Sequence, residues 1–410
     1  MHFVFHTLGL SDSGGSRVIV NLSNYLSEAN HNVSIIIDNN RVAFPLNDKV
    51  RVFHLKDFSI KEVTPKVTGD TSTFQRHLQK KSDKKKTRKR KKLREKSKLI
   101  HSLYLWKKYL LKLLTFPSRK YVMNKFLRGN PADLIASHNM YYFLEHYFFY
   151  PKRKFAVVIH NSPENVFNQR GVQSLLPLNW YFKNTRCFPV SSAALNELRS
   201  IIPSISTESK AIYNPFDFNE IRERAEETID GTALPERYII SVASFDHRKR
   251  IERTIFALSE MEDEKLELVL LGVGKEEEKL RKLVQQLDLQ ERVHFLGFIT
   301  NPMPFIKQAQ ALVLSSDSEG LPTVLIESLI CGTKVVSTNC KTGPSEILTG
   351  DLKQFLIDIE GRTEEAIIAD LAKAIDKAVS DELLIEDDEL FRFSKEAVVK
   401  EYISIAANGS

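Results

Sequence analysis

Short apolar runs, each about long enough for one strand and each followed by a stretch of helical periodicity, recur along most of this chain and narrow its fold more than any other feature. In the first half, M-H-F-V-F-H reads as a strand and a glycine-containing loop through Gly14 and Gly15 follows. The next segment, S-R-V-I-V-N-L-S-N-Y-L-S-E, places Val18, Leu22, Tyr25 and Leu26 at helical spacing before the buried strand V-S-I-I-I-D. D-L-I-A-S-H and F-A-V-V-I-H-N read as later strands of the same sheet, each ending on a polar residue, where parallel sheets carry their sites. The rhythm restarts at Arg237 with the strands Y-I-I-S-V-A-S, L-E-L-V-L-L-G, V-H-F-L-G and A-L-V-L-S-S, and K-V-V-S-T is expected as the last. Strands alternating with helices imply a parallel sheet in each half. A chain of 410 residues has room for two such cores. The expectation is therefore an α/β chain of two Rossmann-like, doubly wound domains facing a cleft. The first covers 1–210, the second 211–385, and a C-terminal helix in 386–410 packs back on the first. The join lies near Ala211–Asp230.

Residues 66–128 break the rhythm and read as an insertion. Between Lys80 and Lys98, thirteen Lys or Arg stand against Asp83 and Glu95, a net +11 in a chain whose total is +7, so the other residues together are acidic. After that run, S-L-Y-L-W-K-K-Y-L-L-K-L-L interleaves aromatics and leucines with lysines and is amphipathic if helical. Three readings compete: a solvated charged loop, a nucleic-acid contact, and an anionic membrane surface. The second is disfavoured, because no groove-reading or stacking motif accompanies the run and the remainder is acidic. The third fits the neighbouring apolar face, which can lie in a lipid interface while each lysine near it adds about 1 kcal/mol. No segment approaches the roughly 18 apolar residues of a membrane span, and the N-terminus lacks a basic signal-peptide region. Cys187, Cys331 and Cys340 lack metal-ligand spacing and suit a reducing compartment. A cytoplasmic protein, peripheral on the inner face of the membrane, is the expectation.

The segment S-S-D-S-E-G-L-P-T-V-L-I-E carries the chemistry. Pro322 suits the first turn of a helix, which would leave backbone amides from about Leu321 to Val324 at a helix N-terminus, a site for a phosphate or a sugar hydroxyl. Glu319 precedes that turn and Glu327 lies inside the helix. The pair can accept hydrogen bonds from one bound ligand; equally, Glu319 can be a cap and Glu327 a solvated helical residue.

Glu319 and Glu327, seven residues apart with G-L-P between, resemble the signature of the retaining glycosyltransferases of family 4, which have the GT-B fold. I-Y-N-P-F-D, L-L-G-V-G-K-E-E-E-K-L, V-H-F-L-G-F and C-G-T-K-V-V-S-T-N-C-K-T-G-P-S-E-I-L fall in that family's order and spacing, and Gly14-Gly15-Ser16-Arg17 resembles its N-terminal glycine-rich loop. The likeness covers nearly the whole chain outside the insertion. It implies that Glu327 accepts from the nucleotide ribose and that Glu319 holds hydroxyls of the donor sugar. The backbone around Gly320, Leu321, Pro322 and Thr323 would support sugar and phosphate; Pro322 itself has no amide hydrogen. Lys249, in V-A-S-F-D-H-R-K-R, matches the lysine that neutralises the donor diphosphate, whose charge grows at the transition state. Where the family usually has an arginine this chain has Ser244, which leaves Arg248 or Arg250 to compensate. Gly15 would let the backbone approach the diphosphate, Gly272 belongs to the donor side, and Phe298 would contact the base. His160 matches the family histidine near the donor sugar. His138 and Asn161 are acceptor-side candidates, though a lone histidine closing a strand is more often structural.

No Asp-x-Asp sits where a metal–diphosphate site needs it, so the expected catalysis uses no metal and no cofactor, with Lys249 and the helix N-terminus balancing charge. The resemblance implies transfer of a hexose or N-acetylhexosamine from a nucleotide sugar, UDP-linked, with retention, to a glycan or polyprenyl-linked acceptor in surface polysaccharide synthesis. A sugar-nucleotide epimerase or hydrolase of the same fold, or a silent scaffold in a polysaccharide assembly complex, are the alternatives. A dehydrogenase is disfavoured by the lack of G-x-G-x-x-G after the first strand.

Overall fold

The computed structural model describes residues 1–10, 14–42, 44–65, 98–138, 149–168, 178–229, 231 and 233–408, with 98–113, 152, 178 and 181 as backbone only. Two sheets organise these residues. The first has seven strands: β1 (His2–Thr7), β2 (Asn32–Ile37), β3 (Val50–Leu55), β4 (Ile60–Glu62), β5 (Leu134–Ser137), β6 (Phe155–Ile159) and β7 (Arg186–Pro189), in the order β4-β3-β2-β1-β5-β6-β7. The ladder from β3 through β1 to β6 is parallel, and the short β4 closes one edge antiparallel to β3. The second sheet has β8 (Tyr238–Val242), β9 (Glu267–Leu271), β10 (Val293–Gly297), β11 (Ala311–Leu314), β12 (Lys334–Asn339) and β13 (Leu356–Asp358), all parallel, in the order β10-β9-β8-β11-β12-β13. These strands read as continuous apolar runs because helices cover both faces of a parallel sheet: Ile239, Ile240, Leu268, Val269, Leu312 and Val335 have no exposed surface.

Seven helices matter below: α1 (Gly14–Glu28), α2 (Lys98–Gly129), α3 (Ser192–Ile201), α4 (Ile251–Glu260), α5 (Thr323–Ile330), α6 (Glu364–Ser380) and α7 (Lys395–Asn408). The expected α/β class with two parallel sheets is what forms, with three local differences. α1 begins at Gly14, so Gly14 and Gly15 are its first turn and not a loop before it. Pro322 precedes α5 with an extended ψ of 96°, and Thr323 is the first helical residue. K-V-V-S-T is not the last strand: β13 pairs beside it, too short and too mixed in polarity to stand out in the sequence. The second part of the insertion is helical, as α2, while the basic run lies outside the described residues except for Lys98.

The chain divides into two compact units, one of Met1–Val158, Thr185–Cys187 and Val399–Ser410, the other of Ile159–Asn184 and Phe188–Val398. The division does not fall at one point near residue 210. Residues after Val158 group with the second unit because their backbone packs there: the carbonyl of His160 lies against Gly320, and the amides of Ser192 and Ala193 bond Glu346. The C-terminal part of α7 belongs to the first unit, where the Tyr402 ring lies 6.3 Å from that of Phe5.

Candidate functional site

In the second sheet the strand order runs outward from β8 through β9 to β10 in one direction, and from β11 through β12 to β13 in the other. Between β8 and β11 the loops that leave the carboxyl ends of the strands diverge, which is where open α/β sheets hold their ligands. The loop after β8 ends in a short 3-10 turn, His247–Lys249, and the loop after β11 leads through Glu319 into α5. Their side chains meet. Lys249 Nζ donates to Glu319 Oε1 at 2.6 Å, with 18% and 11% of the two side chains exposed. Ser316 Oγ donates to the same carboxylate oxygen at 2.7 Å, and the amide of Asp317 donates to the carbonyl of Arg248 at 2.8 Å. Both side-chain bonds fall on Oε1, so Oε2 keeps its lone pairs for a ligand hydroxyl, and two of the three ammonium hydrogens of Lys249 are left for an anion.

Asp246 builds the turn that presents Lys249. Its carboxylate accepts from the Arg248 amide at 3.1 Å and from the Ser244 hydroxyl at 2.8 Å. Burial works against the charged form, but the Ser244 hydrogen bond with Arg248 and Lys249 outweighs it and holds the Asp246 carboxyl below its usual range. Ser244 thus shapes the cationic turn without adding a cation to it. Of the two arginines expected to compensate, Arg250 is committed elsewhere. It adopts the left-handed φ of 48° before α4 and pairs with Glu252 at 3.1 Å and Glu364 at 2.6 Å. Arg253 pairs with the same Glu364 at 2.8 Å and with Asp317 at 2.7 Å, and its hydrogen bond, ahead of that from Arg250, holds the Glu364 carboxyl at about 2. Arg248 keeps its guanidinium 49% exposed, 3.5 Å from Asp246, and is the cation available beside Lys249.

No side-chain hydrogen bond caps α5, whose entry is bounded by Pro322 and by the Leu325 amide turning back to the Pro322 carbonyl at 3.1 Å. Leu321 is buried, while Thr323 and Glu327 are half-buried. Gly320 cannot carry a side chain: a Cβ there would lie 2.3 Å from the His160 carbonyl oxygen. The sequence therefore brings His160, Lys249, Glu319 and Gly320 to one place, and exposed Asn161 adjoins them, its Cα 3.1 Å from the same Cβ position. Burial holds the His160 imidazole down at about 4, so it is neutral at pH 7.

The remaining candidates divide. Gly272 has φ +145° and would place a Cβ 1.8 Å from the Ala243 carbonyl oxygen, so the loops after β8 and β9 run backbone to backbone. Its amide is spent on the Gly297 carbonyl at 2.7 Å and is not an anion donor. Phe298, next in the chain, is 70% exposed at the strand end. Gly14, Gly15 and His138 belong to the first unit. The two glycines have nothing within 4 Å of a built Cβ, as a close approach of a ligand to backbone requires. His138 is 4% exposed, edge-on to Phe5 at 4.9 Å, with its amide on the His6 carbonyl at 2.9 Å; this is a core position and does not fit an acceptor contact. Sequence reasoning missed Ser316, Asp246, Thr342 and Glu346. Thr342 Oγ1 donates to the Glu319 carbonyl, and the visible signal was the quoted T-G-P-S-E, a turn followed by proline in a first helical turn. Among the described residues, no three His, Cys, Asp or Glu side chains converge as a metal site would need, and no helix is long and apolar enough to cross a membrane.

Residues 223–397 match the family described as "Glycosyl transferases group 1". The chain is 32% identical over 197 residues to the N-acetylgalactosamine-N,N'-diacetylbacillosaminyl-diphospho-undecaprenol 4-alpha-N-acetylgalactosaminyltransferase of Campylobacter jejuni, covering 48% of this chain and 53% of the relative. It is 28% identical over 235 residues to the lipopolysaccharide core biosynthesis glycosyltransferase LpsE of Rhizobium meliloti, covering 56% and 66%. The chain thus spans about half the length of the curated relatives it matches. Among solved structures, Anabaena Alr3699/HepE in complex with UDP and glucose superposes with a TM-score of 0.63 at 15% identity, covering 100% of both chains. WaaG, a glycosyltransferase involved in lipopolysaccharide biosynthesis, gives 0.56 at 13%, covering 98% and 95%. At such identities the likeness shows the fold, two Rossmann-like parallel-sheet domains of the GT-B class.

Proposed function

We propose that the chain is a retaining, family 4 glycosyltransferase that moves a hexose or N-acetylhexosamine from a UDP-linked donor to a glycan or lipid-linked acceptor of a surface polysaccharide. The observation that carries this reading is the Lys249–Glu319 pair at 2.6 Å, set between the ends of β8 and β11 beside a helix start that no side chain caps. A nucleotide sugar asks for that combination. Its diphosphate gains charge as the glycosidic bond breaks, and the Lys249 ammonium with the α5 amides meets it in a partly dry setting, where such contacts act strongly. Glu319 Oε2 and the neutral His160 ring suit sugar hydroxyls, and Glu327 a ribose. In the retaining reading the acceptor oxygen attacks the anomeric carbon from the face the diphosphate leaves, and its proton passes to a phosphate oxygen of the leaving group. Charge is balanced by the lysine and backbone, without a metal. The Campylobacter relative's diphospho-undecaprenol substrate and the lipopolysaccharide role of the Rhizobium one support an acceptor held at a lipid surface.

A membrane-facing first unit fits that acceptor. Phe58, Leu114 and Tyr121 are 77%, 69% and 67% exposed, and the Ser118 hydroxyl, between the latter two on one face of α2, donates to the carbonyl of Asp57, the residue before Phe58, at 2.7 Å. Lys56, Lys61 and Lys125 are exposed nearby in sequence, and the Lys80–Lys98 run leads into α2. Calorimetric titration of UDP into the wild type and Glu327→Ala tests the donor reading. The substitution lowers affinity by about 10-fold or more, the loss of a hydrogen bond to a charged group; unchanged affinity removes the ribose contact. Turnover of UDP-sugar with no acceptor present would favour the epimerase or hydrolase instead.

A further inference from the structure

The N-terminus of α3 is filled by the protein's own anion. The amides of Ser192 and Ala193 donate to the two oxygens of Glu346, each at 2.7 Å, and the Tyr213 hydroxyl adds a third bond at 3.0 Å. Ser191 accepts from the Ala194 amide at 3.2 Å, so the first three amides of the helix are all satisfied. A carboxylate on a helix N-terminus, bonded twice by backbone, is a strong and directional anchor. Burial, then the Glu346 charge, pushes the Tyr213 phenol up and keeps it a donor.

Glu346 also belongs to a segment that lies on the proposed donor loop. From Cys340 to Ile347 that segment touches Glu319–Pro322 at two places. Thr342 Oγ1 donates to the Glu319 carbonyl. Gly343, at φ +96°, packs so closely that a Cβ would stand 2.6 Å from Pro322 Cδ and 2.8 Å from the Gly320 carbonyl oxygen. A displacement of the segment must therefore move either the Thr342 hydrogen bond or the Gly320–Pro322 backbone. We infer that Glu346 is a positioning residue: its hold on α3 and Tyr213 fixes the 340–347 segment, which in turn fixes where Glu319 presents its carboxylate to Lys249 and to a ligand. The role rests on the donor-loop reading only for what the loop binds; the mechanical link stands on these contacts alone.

Hydrogen–deuterium exchange on the full chain tests the link without any turnover. In Glu346→Gln the side chain keeps its shape but turns an N–H toward one of the two amides and loses its charge. Faster exchange is expected in peptides covering 192–195 and 340–347, and also in 318–325. Thr342→Val loosens 318–325 while 192–195 stays as in the wild type, and Thr342→Ser restores it. Glu346→Gln that loosens 192–195 and leaves 318–325 at wild-type exchange overturns the inference. Should Glu346→Gln fail to fold, Tyr213→Phe, which removes one of the three bonds, carries the same comparison. If the wild type transfers sugar, Glu346→Gln lowers kcat at least 10-fold with UDP affinity within threefold, and its effect combined with Thr342→Val is less than the product of the two, because both act through one segment. An additive pair also overturns it. A wild type that turns over no sugar nucleotide refutes the donor reading and leaves the exchange result to stand or fall separately.

Discussion

Gly320→Ala is the sharpest probe of the donor loop, since the structure states what the added methyl meets. Its Cβ would lie 2.3 Å from the His160 carbonyl oxygen, 3.0 Å from the His160 carbonyl carbon and 3.1 Å from the Asn161 Cα. Close carbon–oxygen contacts sit at about 3.3 Å, so one side must retreat by about 1 Å. All three atoms are backbone, and no flexible side chain can swing aside. Overpacking of this kind costs about 1–3 kcal/mol, and a shift of about 1 Å in a site costs on the order of 100-fold in rate. The expected result is a lower thermal midpoint together with a fall of about 100-fold in kcat/KM, followed by release of UDP in the presence of acceptor. Gly15→Ala is the matched comparison. A Cβ there meets nothing within 4 Å and the residue is in a helical first turn, so alanine stabilises by about 0.5–1 kcal/mol. If the backbone at Gly15 approaches the diphosphate, that variant raises the donor KM while its stability does not fall. Gly320→Ala with kcat/KM within threefold of wild type and an unchanged midpoint would refute the close packing of Gly320 on His160.

Lys249→Ala should lower kcat by about 100- to 1000-fold, the scale of removing one preorganised charge from a developing anion, with Lys249→Arg recovering part of it; steady-state assays with near-wild-type kcat in the alanine variant would remove the lysine from the mechanism. His160 makes stability pH-dependent. Its folded value of about 4 lies below the ordinary 6.5 because burial disfavours the imidazolium, so the unfolded chain binds the extra proton between those limits. Its contribution is complete above about pH 6.5 and is lost as pH falls toward 4, by up to about 1.4 kcal/mol per unit. Urea midpoints of His160→Gln should fall less steeply than the wild type's over that window, and parallel curves would contradict it. Deleting residues 76–112 should abolish co-sedimentation with anionic vesicles at low salt, while neutral vesicles bind neither form; equal binding by the deletion would end the membrane reading.

The strand and helix rhythm was legible because burial on both faces of a parallel sheet leaves unbroken apolar runs such as V-S-I-I-I-D and L-E-L-V-L-L. What spacing could not express was adjacency. Lys249 and Glu319 stand 70 residues apart in the chain and meet because β11 inserts beside β8, a neighbour it does not follow in sequence. The resemblance supplied that pairing of roles; periodicity alone did not. Pro322 was misplaced by one position since proline's fixed φ suits both the residue before a helix and its first, and only ψ separates them. The C-terminal helix was expected to pack back on the first domain; its residues from Val399 on group with the first unit, while Lys395–Val398 group with the second.

Two helix starts in the second unit show what sequence left undecided and geometry separates. Both α3 and α5 follow a strand-end loop, and either could take an anion by the same dipole and amide argument. α3 is met by Ser191 and by a carboxylate delivered from Glu346, more than 150 residues onward, so its amides are committed to holding the fold together. α5 has no side-chain cap, and the residues around it spend their bonds differently: Ser316 and Lys249 orient Glu319, Ser244 and Asp246 shape the Lys249 turn, and Arg250 and Arg253 neutralise Asp317 and Glu364. The acidic and basic groups near α5 are thus sorted: Lys249 is held by Glu319, Arg248 stays half-exposed beside Asp246, and Arg250 and Arg253 are taken up by Glu364 and Asp317. A structural cap would have needed none of that sorting. The distribution of partners, more than the Glu319–Glu327 spacing itself, is why a ligand is proposed at the α5 end and not at the α3 end.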